Sequence, residues 1–347
     1  MKVRMFEAFA GYGSQLLAMK RLQRDFPEDI QVESVGYAEI NPVSIKAYVA
    51  LHGDGIRNYG NICEIDWDTV PDFDLFTYSF PCTDISTAGR QRGLEEGSGT
   101  RSSLLWECTR SIEKKRPKYL LMENVKALEQ EKFRGYLSRW CEMLVKFGYT
   151  SCQKILSAKD YGVPQHRERL FLFSVRGGEQ FSFPRHQPLR IELKEALEYL
   201  PSENRYIAVE KANQLLELWK EFPRDGFVYD TNRELVLTAG GRFCRTFTCG
   251  GGGVTVKKYV LRIGQADSAI LELDTMKMRR MTSRERFRLM GVEEEDIEKL
   301  MSVVTRTEAR FLTGNSIVVD VLYHIFRQAF TRSKDETCEQ TLFCENL

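Results

Sequence analysis

Two residues in this sequence have the type and placement for bond-making chemistry. The first is Cys82, in Ser79-Phe80-Pro81-Cys82-Thr83, just past an apolar run at 74–79 that reads as a strand. A thiol at the carboxyl end of a strand is well placed as a nucleophile, and Pro81 stiffens the backbone before the sulfur. A lone cysteine is otherwise a small buried hydrophobe. The second is Glu123, which follows the apolar run 118–122 and opens Glu123-Asn124-Val125. A carboxyl group delivered to a sheet edge and withdrawn from water holds its proton to higher pH, which suits it to protonating or holding a ring nitrogen. The plain alternative is a solvated strand end. After Cys82 the segment 83–103 is rich in Gly, Ser, Thr and Arg, and its glycines predict a mobile lid.

A second group of residues suits a nucleotide-like ligand. Phe9-Ala10-Gly11-Tyr12-Gly13 follows a predicted strand and opens a helix, so Gly11 and Gly13 let the backbone turn sharply and approach a ligand. This turn alone fits a nicotinamide cofactor, a flavin, S-adenosylmethionine or no ligand at all. In Tyr37-Ala38-Glu39-Ile40-Asn41, Glu39 ends the second strand, where a carboxylate can accept from two ribose hydroxyls. Asn41 and Pro42 also read as a helix cap and first helical residue. Gly60-Asn61-Ile62 offers a polar edge and an apolar face to an adenine. In Gln165-His166-Arg167-Glu168-Arg169, strand alternation would put Gln165, Arg167 and Arg169 on one face. Paired guanidinium groups there suit a carbonyl oxygen and phosphates.

The elements that must position these residues alternate in type. Strands are predicted at 3–9, 32–39, 74–79, 118–123 and 170–175, with helices at 14–26, 42–51, 104–115 and 132–147. That rhythm reads as a parallel α/β sheet, with functional residues at the carboxyl ends of its strands. It breaks after Arg176. The stretch 177–274 is weakly periodic, with one helix candidate at 209–222 and a glycine run at 250–253 between β-branched residues. Helical patterning returns at 283–290 and 316–331, and the polar segment 334–347 is expected to fray. We therefore expect one α/β domain from 1–176 plus 280–333 and a smaller, mostly irregular or β domain at 177–279.

Composition narrows the class. The 347 residues are 42% hydrophobic and 29% charged, with no run long enough to span a membrane, as in an ordinary globular protein. Glu7 interrupts any signal-peptide layout, which points to the cytoplasm, associated with the nucleoid if DNA is bound. The nine cysteines show neither a disulfide framework nor zinc-site spacing, so reduced thiols and no metal are expected. Net charge is only +1, yet 224–262 holds seven basic residues against three acidic, and 276–290 six against one. These are solvated faces or phosphate contacts.

Taken in order, Phe-Ala-Gly-Tyr-Gly, Tyr-Ala-Glu-Ile-Asn, Phe-Pro-Cys, Glu-Asn-Val and Gln-His-Arg-Glu-Arg resemble the ordered motifs of C5-cytosine DNA methyltransferases of bacterial or phage type. Arg280-Met281-Thr282 with Glu285 and Arg288-Leu289-Met290-Gly291, then Gly314-Asn315-Ser316-Ile317, resemble the family's later motifs. The resemblance implies a Rossmann-like S-adenosylmethionine-dependent methyltransferase sheet, with the variable insert as a target recognition domain. It implies Cys82 as nucleophile toward a flipped cytosine in a specific duplex sequence, Glu123 as its acidic partner, and Arg167 and Arg169 beside the ring oxygen and phosphates. It also implies a cofactor site of Phe9, Gly11, Gly13, Glu39, Ile40, Asn61 and Ile62, joined by Phe80, Leu104, Asn315 and Ser316. Gln165, Arg101, Arg242 and Arg245 are the candidates for contacting DNA. A separately acting restriction endonuclease is a compatible partner, and a monomer suffices for the chemistry. Thr83, where the family commonly has Gln, and Ser102-Ser103, in place of a glycine-bearing pair, are departures that can alter loop closure. Transfer-RNA methylation by the same chemistry, a nucleotide-dependent oxidoreductase and a non-catalytic DNA binder are the competing readings.

Overall fold

The computed structural model describes residues 1–86, 92–198, 228–230, 244–245, 254–256, 259–261, 268–272 and 277–332. The chain divides into two compact units. The first comprises Met1–Leu156, Glu168–His186 and the chain from Val321 onward; the second comprises Ser157–Arg167 and Gln187–Asp320. Residues 157–167 and 280–320, grouped by sequence with the α/β domain, thus fall in the second unit, and 177–186 in the first.

The first unit is built on a six-stranded sheet. In chain order its elements are β1 (Lys2–Ala8), α1 (Ser14–Asp25), β2 (Gln31–Ala38), α2 (Pro42–His52), β3 (Leu75–Tyr78), α3 (Cys108–Lys115), β4 (Tyr119–Val125), α4 (Glu131–Lys146) and β5 (Tyr149–Ser157). After the short β6 (Gln165–His166) comes β7 (Glu168–Arg176). The sheet order is β2-β1-β3-β4-β7-β5. Strands β1 to β4 pair in parallel, whereas β7 runs antiparallel to β4. The all-parallel expectation is therefore corrected to a mixed sheet. The segment 158–167 is too short for the crossover of a dozen or more residues that a parallel return needs.

Each helix has a local reason. Asn41 caps α2, its Oδ1 accepting from the amides of Val43 and Ser44 at 2.9 and 3.2 Å, with Pro42 at the first helical position. Leu16, Met19 and Leu22 turn one face of α1 into the core. Aromatic rings fill the space beneath the strand ends: Phe6 stacks on Phe73 at 5.5 Å, Phe76 on Tyr78 at 5.1 Å, and Trp140 Nε1 donates to the Tyr78 hydroxyl. The helix Val319–Phe330 contributes Phe330, which meets Tyr119 edge-on at 5.0 Å.

In the second unit, strands Val228–Asp230, Ser268–Glu272 and Lys277–Arg280 form an antiparallel sheet. Val254–Val256 pairs with Tyr259–Leu261 in a second small sheet. Thr282 and Glu285 form a reciprocal capping box at the start of helix Ser283–Arg288. Gly291 has φ 76°, and a Cβ there would lie 2.1 Å from Asp320 Oδ2, so the close approach requires glycine. The helix candidate at 209–222, the glycine run at 250–253 and the tail at 334–347 lie outside the described residues. Among the described residues no helix is long and apolar enough to cross a membrane, and no group of three or more His, Cys, Asp or Glu is placed to hold a metal ion.

Candidate active site

Cys82 follows the carboxyl end of β3, whose last residue, Tyr78, pairs with Met122 of β4. Glu123 is the next residue on β4. The two strand ends are tied by Asn124, which donates from Nδ2 to the Phe80 carbonyl at 2.9 Å and accepts the Val125 amide on Oδ1 at 2.8 Å. A buried carboxamide thus fixes the approach to the thiol against the strand that carries the acid. The Cys82 carbonyl accepts from the amides of Ile85 and Ser86 at 3.0 and 2.8 Å, so the chain turns at once and leaves Cys82 partly exposed. Cys108, Cys141, Cys152 and Cys244 are buried. Burial pushes the Cys108 and Cys244 thiols well up and that of Cys152 to about 12, so these are inert hydrophobes.

Asp84, which the sequence reading did not single out, organises the loop beyond the thiol. Its side chain is buried, and its Oδ2 accepts from the amides of Arg101 and Ser102 at 3.0 and 3.4 Å. Its Oδ1 pairs with Arg92 Nε at 2.7 Å. Burial raises its pKa, but the contacts with Arg92, Ser102 and Thr83 outweigh that and hold it below the ordinary carboxylate value. Ser102, one of the departures from the family pattern, donates from its hydroxyl to the Pro81 carbonyl at 2.7 Å and accepts the Asp84 amide at 3.2 Å. Thr83, the other departure, donates to Asp84 Oδ2 at 3.3 Å. The described part of the predicted lid is anchored: Leu94 is buried, Trp106 Nε1 donates to its carbonyl at 2.8 Å, and Arg139 pairs with Glu95 at 3.0 Å.

Glu123 is nearly buried, and Arg169 Nε lies 3.2 Å from its Oε1. Register explains the pair: Arg169 stands opposite Val125 across the β4–β7 ladder, two places from Glu123 on the same face. The expectation for Glu123 rests on burial alone; the structure adds a cation that favours the charged carboxylate.

At the end of β1, Phe9 has φ 56°, a left-handed conformation costly for a bulky residue. Gly13 follows at φ 79°, where a Cβ would strike His52 and Tyr48. No side chain caps α1 at this turn. Glu39 Oε2 accepts the Gly11 amide at 2.9 Å, and Oε1 accepts those of Ile40 and Asn41 at 2.9 and 2.8 Å. Oε2 keeps a lone pair for an incoming hydroxyl. Beside it Ile40 is 64% exposed, an apolar surface with nothing yet packed on it. Asn61 caps the turn Ile62–Glu64, with Ile62 buried. A carboxylate with spare accepting capacity, an exposed apolar side chain and an amide on adjoining loops fit a nucleoside.

Beneath this turn lies Glu7, wholly buried and also unforeseen as a site residue. It accepts from the Tyr48 hydroxyl at 2.8 Å and the Leu16 amide at 3.2 Å. Desolvation raises its pKa to about 7, against the lowering contacts of Tyr48, Leu16 and Lys20. The folded protein therefore keeps a proton that the unfolded chain releases near 4.5, and stability falls as pH rises from 4.5 through 7. The loss attributable to Glu7 is about 3 kcal/mol over that window. Denaturant unfolding at pH 5 and pH 8 should show this decline in the wild type and a flatter profile in Glu7→Gln; parallel profiles would refute it.

The remaining predicted residues divide between the two units. In the second unit Arg167 is buried, and its Nη2 donates to the Gly314 and Ser316 carbonyls at 2.9 and 2.5 Å, at the end of helix Arg306–Asn315. Gln165 is fully buried and donates to the Leu289 carbonyl at 2.6 Å. The single-face alternation fails because the strand breaks at Arg167, between β6 and β7. Asn315 of the same unit donates to the Phe311 carbonyl. In the first unit Phe80 is buried, Leu104 packs partly against the core, and Arg101 is exposed. Arg245 is described only as backbone, in a two-residue strand paired with β6, and Arg242 lies outside the described residues.

Comparison with known proteins gives the family. The family described as C-5 cytosine-specific DNA methylase matches residues 3–331. Type II methyltransferase M2.ScrFI of Lactococcus lactis subsp. cremoris is 35% identical, over 94% of this chain and 99% of its own. Orphan methyltransferase M.SssI of Spiroplasma monobiae is 29% identical, over 92% and 95%. Among solved structures, the Entamoeba histolytica methyltransferase EhMeth superposes with TM-score 0.72 at 16% identity, covering 94% of this chain and 98% of that one, which shows the shared fold. The chain belongs to the C-5 cytosine-specific DNA methylase family, and it transfers a methyl group from S-adenosylmethionine to carbon 5 of cytosine in DNA.

Proposed function

We propose that Cys82 is the nucleophile of this reaction, that Glu123 with Arg169 grips the target ring, and that Phe9, Gly11, Glu39, Ile40 and Asn61 hold the methyl donor. The observation that supports this best is the Asn124 bridge, which joins the Cys82 loop to the strand end bearing Glu123. Duplex DNA is the substrate, and the base must leave the stack to be reached. The Cys82 thiolate bonds to C6 of the cytosine, placing electron density on C5. Glu123 in its protonated form donates to N3 and accepts from the exocyclic amine; its proton neutralises the charge that develops on the ring, leaving a carboxylate paired with Arg169. Arg169, already beside Glu123, orients that carboxyl and faces the ring oxygen. When bound, S-adenosylmethionine supplies the electrophilic methyl group. The C5 proton then passes to water, the C5–H electron pair re-forms the ring double bond, and the Sγ–C6 bond breaks with its pair returning to sulfur. A monomer suffices, and any companion endonuclease acts as a separate protein.

Duplex DNA bearing 5-fluorocytosine at the target tests the covalent step, because fluorine does not leave as a proton does. With methyl donor present, a denaturation-resistant adduct that maps to the peptide containing Cys82 is expected. No adduct, or one on another cysteine, overturns the assignment. The target is first located by sequencing methylated cytosines in DNA from cells expressing the protein.

A further inference from the structure

We propose that Asn58 is a positioning residue for the nucleoside half of the donor site, joining the ribose-facing acid and the adenine-facing turn in one piece. This rests on the roles given to Glu39 and Asn61 above. Asn58 lies on the segment between α2 and Asn61, and its carboxamide reaches the end of β2. Oδ1 accepts the Glu39 amide at 3.2 Å and the Gly60 amide at 3.0 Å, while Nδ2 donates to the Glu39 carbonyl at 3.0 Å. Paired donation and acceptance on one residue's main chain imitates a rung of a strand ladder. It extends the pairing already present, in which Tyr37 N donates to the Arg57 carbonyl at 3.0 Å and Tyr59 N to the Tyr37 carbonyl at 2.7 Å.

Three loops meet through this one side chain. Glu39, its main chain clasped by Asn58, holds the glycine turn by accepting the Gly11 amide. Gly60, the other partner of Oδ1, has φ 72° and leads directly into Asn61. Both lone pairs of Oδ1 and one Nδ2 hydrogen are committed to Glu39 and Gly60, so Asn58 acts on the ligand through Glu39 and Asn61. Alanine would leave the Glu39 amide, the Glu39 carbonyl and the Gly60 amide without these partners in a part-buried place. Aspartate would set an acceptor against the Glu39 carbonyl.

The experiment measures S-adenosylhomocysteine binding by calorimetry, with steady-state methylation and thermal melting, for wild type, N58A, N58D, E39Q and N58A/E39Q. N58A should bind about tenfold more weakly, as expected for lost hydrogen bonds at a clasp. Its turnover at saturating donor and its KM for DNA should move less than about twofold, a split that general loosening would not give. In the E39Q background, N58A should cost less than about threefold more, because the two act through one assembly. N58D should weaken binding by a similar factor, and it carries the test should N58A fail to fold. Wild-type affinity in both Asn58 variants, additivity with E39Q, or proportional loss of DNA and donor binding would overturn the proposal. Normal binding by E39Q would instead remove the ribose reading itself.

Discussion

Cys82→Ser is expected to leave S-adenosylhomocysteine binding intact while methyl transfer falls on the order of 10⁴-fold or more, as for other nucleophile deletions. Serine nearly matches cysteine in size, so the turn made by the Ile85 and Ser86 amides onto the residue 82 carbonyl persists. What changes is the nucleophile: a hydroxyl is far harder to ionise than a thiol. Among the described cysteines Cys63 is the exposed one, and burial together with Glu107 raises its pKa. Cys63→Ser is therefore the control and should retain turnover. Single-turnover transfer of labelled methyl groups to duplex DNA measures both. Wild-type rates in Cys82→Ser would end the assignment of the thiol.

The second large effect is expected from a residue that touches no substrate. Asp84→Ala removes the acceptor for the Arg101 and Ser102 amides and frees the loop beside the thiol. Misplacement of a reacting group by about 1 Å costs about 10²-fold in rate, and a loss of that size in turnover is expected here. The Arg92 pair joins a half-exposed guanidinium to a buried carboxylate, and its loss leaves the Asp84 contacts with the Arg101 and Ser102 amides in place. Arg92→Gln should thus stay within a few-fold of wild type. Rapid-quench measurement of the chemical step separates the two variants. Equal rates in Asp84→Ala and wild type would show that the amide contacts do not order the loop.

Much of the first unit is legible in the sequence because its signals are local. Apolar runs ending in Glu39, Glu123 or the Cys82 loop announce strands within a residue or two of their observed ends, and Asn41-Pro42 announces a helix start. What stays hidden depends on partners distant in the chain. Arg167 reads as a ligand contact because its partners, the Gly314 and Ser316 carbonyls, lie almost 150 positions away. Asn58 reads as a loop residue because the main chain it clasps lies 19 positions earlier. Strand β5 mixes Thr, Ser, Gln and Lys with its apolar residues, so neither a continuous run nor a clean alternation marks it. Chain direction leaves no local trace at all, and the reversal of β7 is absent from the pattern that predicts the strand.

That reversal has a consequence for how the grip on the base stays in tune. Glu123 leaves the finishing end of one strand and Arg169 the starting end of its neighbour, so their alignment is set by the ladder alone. Sliding β7 by a single residue would carry the guanidinium to the opposite face of the sheet and leave the carboxylate bare. The ladder therefore acts as a vernier for the site. Substitutions deep along it, around the Leu121–Phe173 pair, have a route to altering the reaction without approaching the substrate.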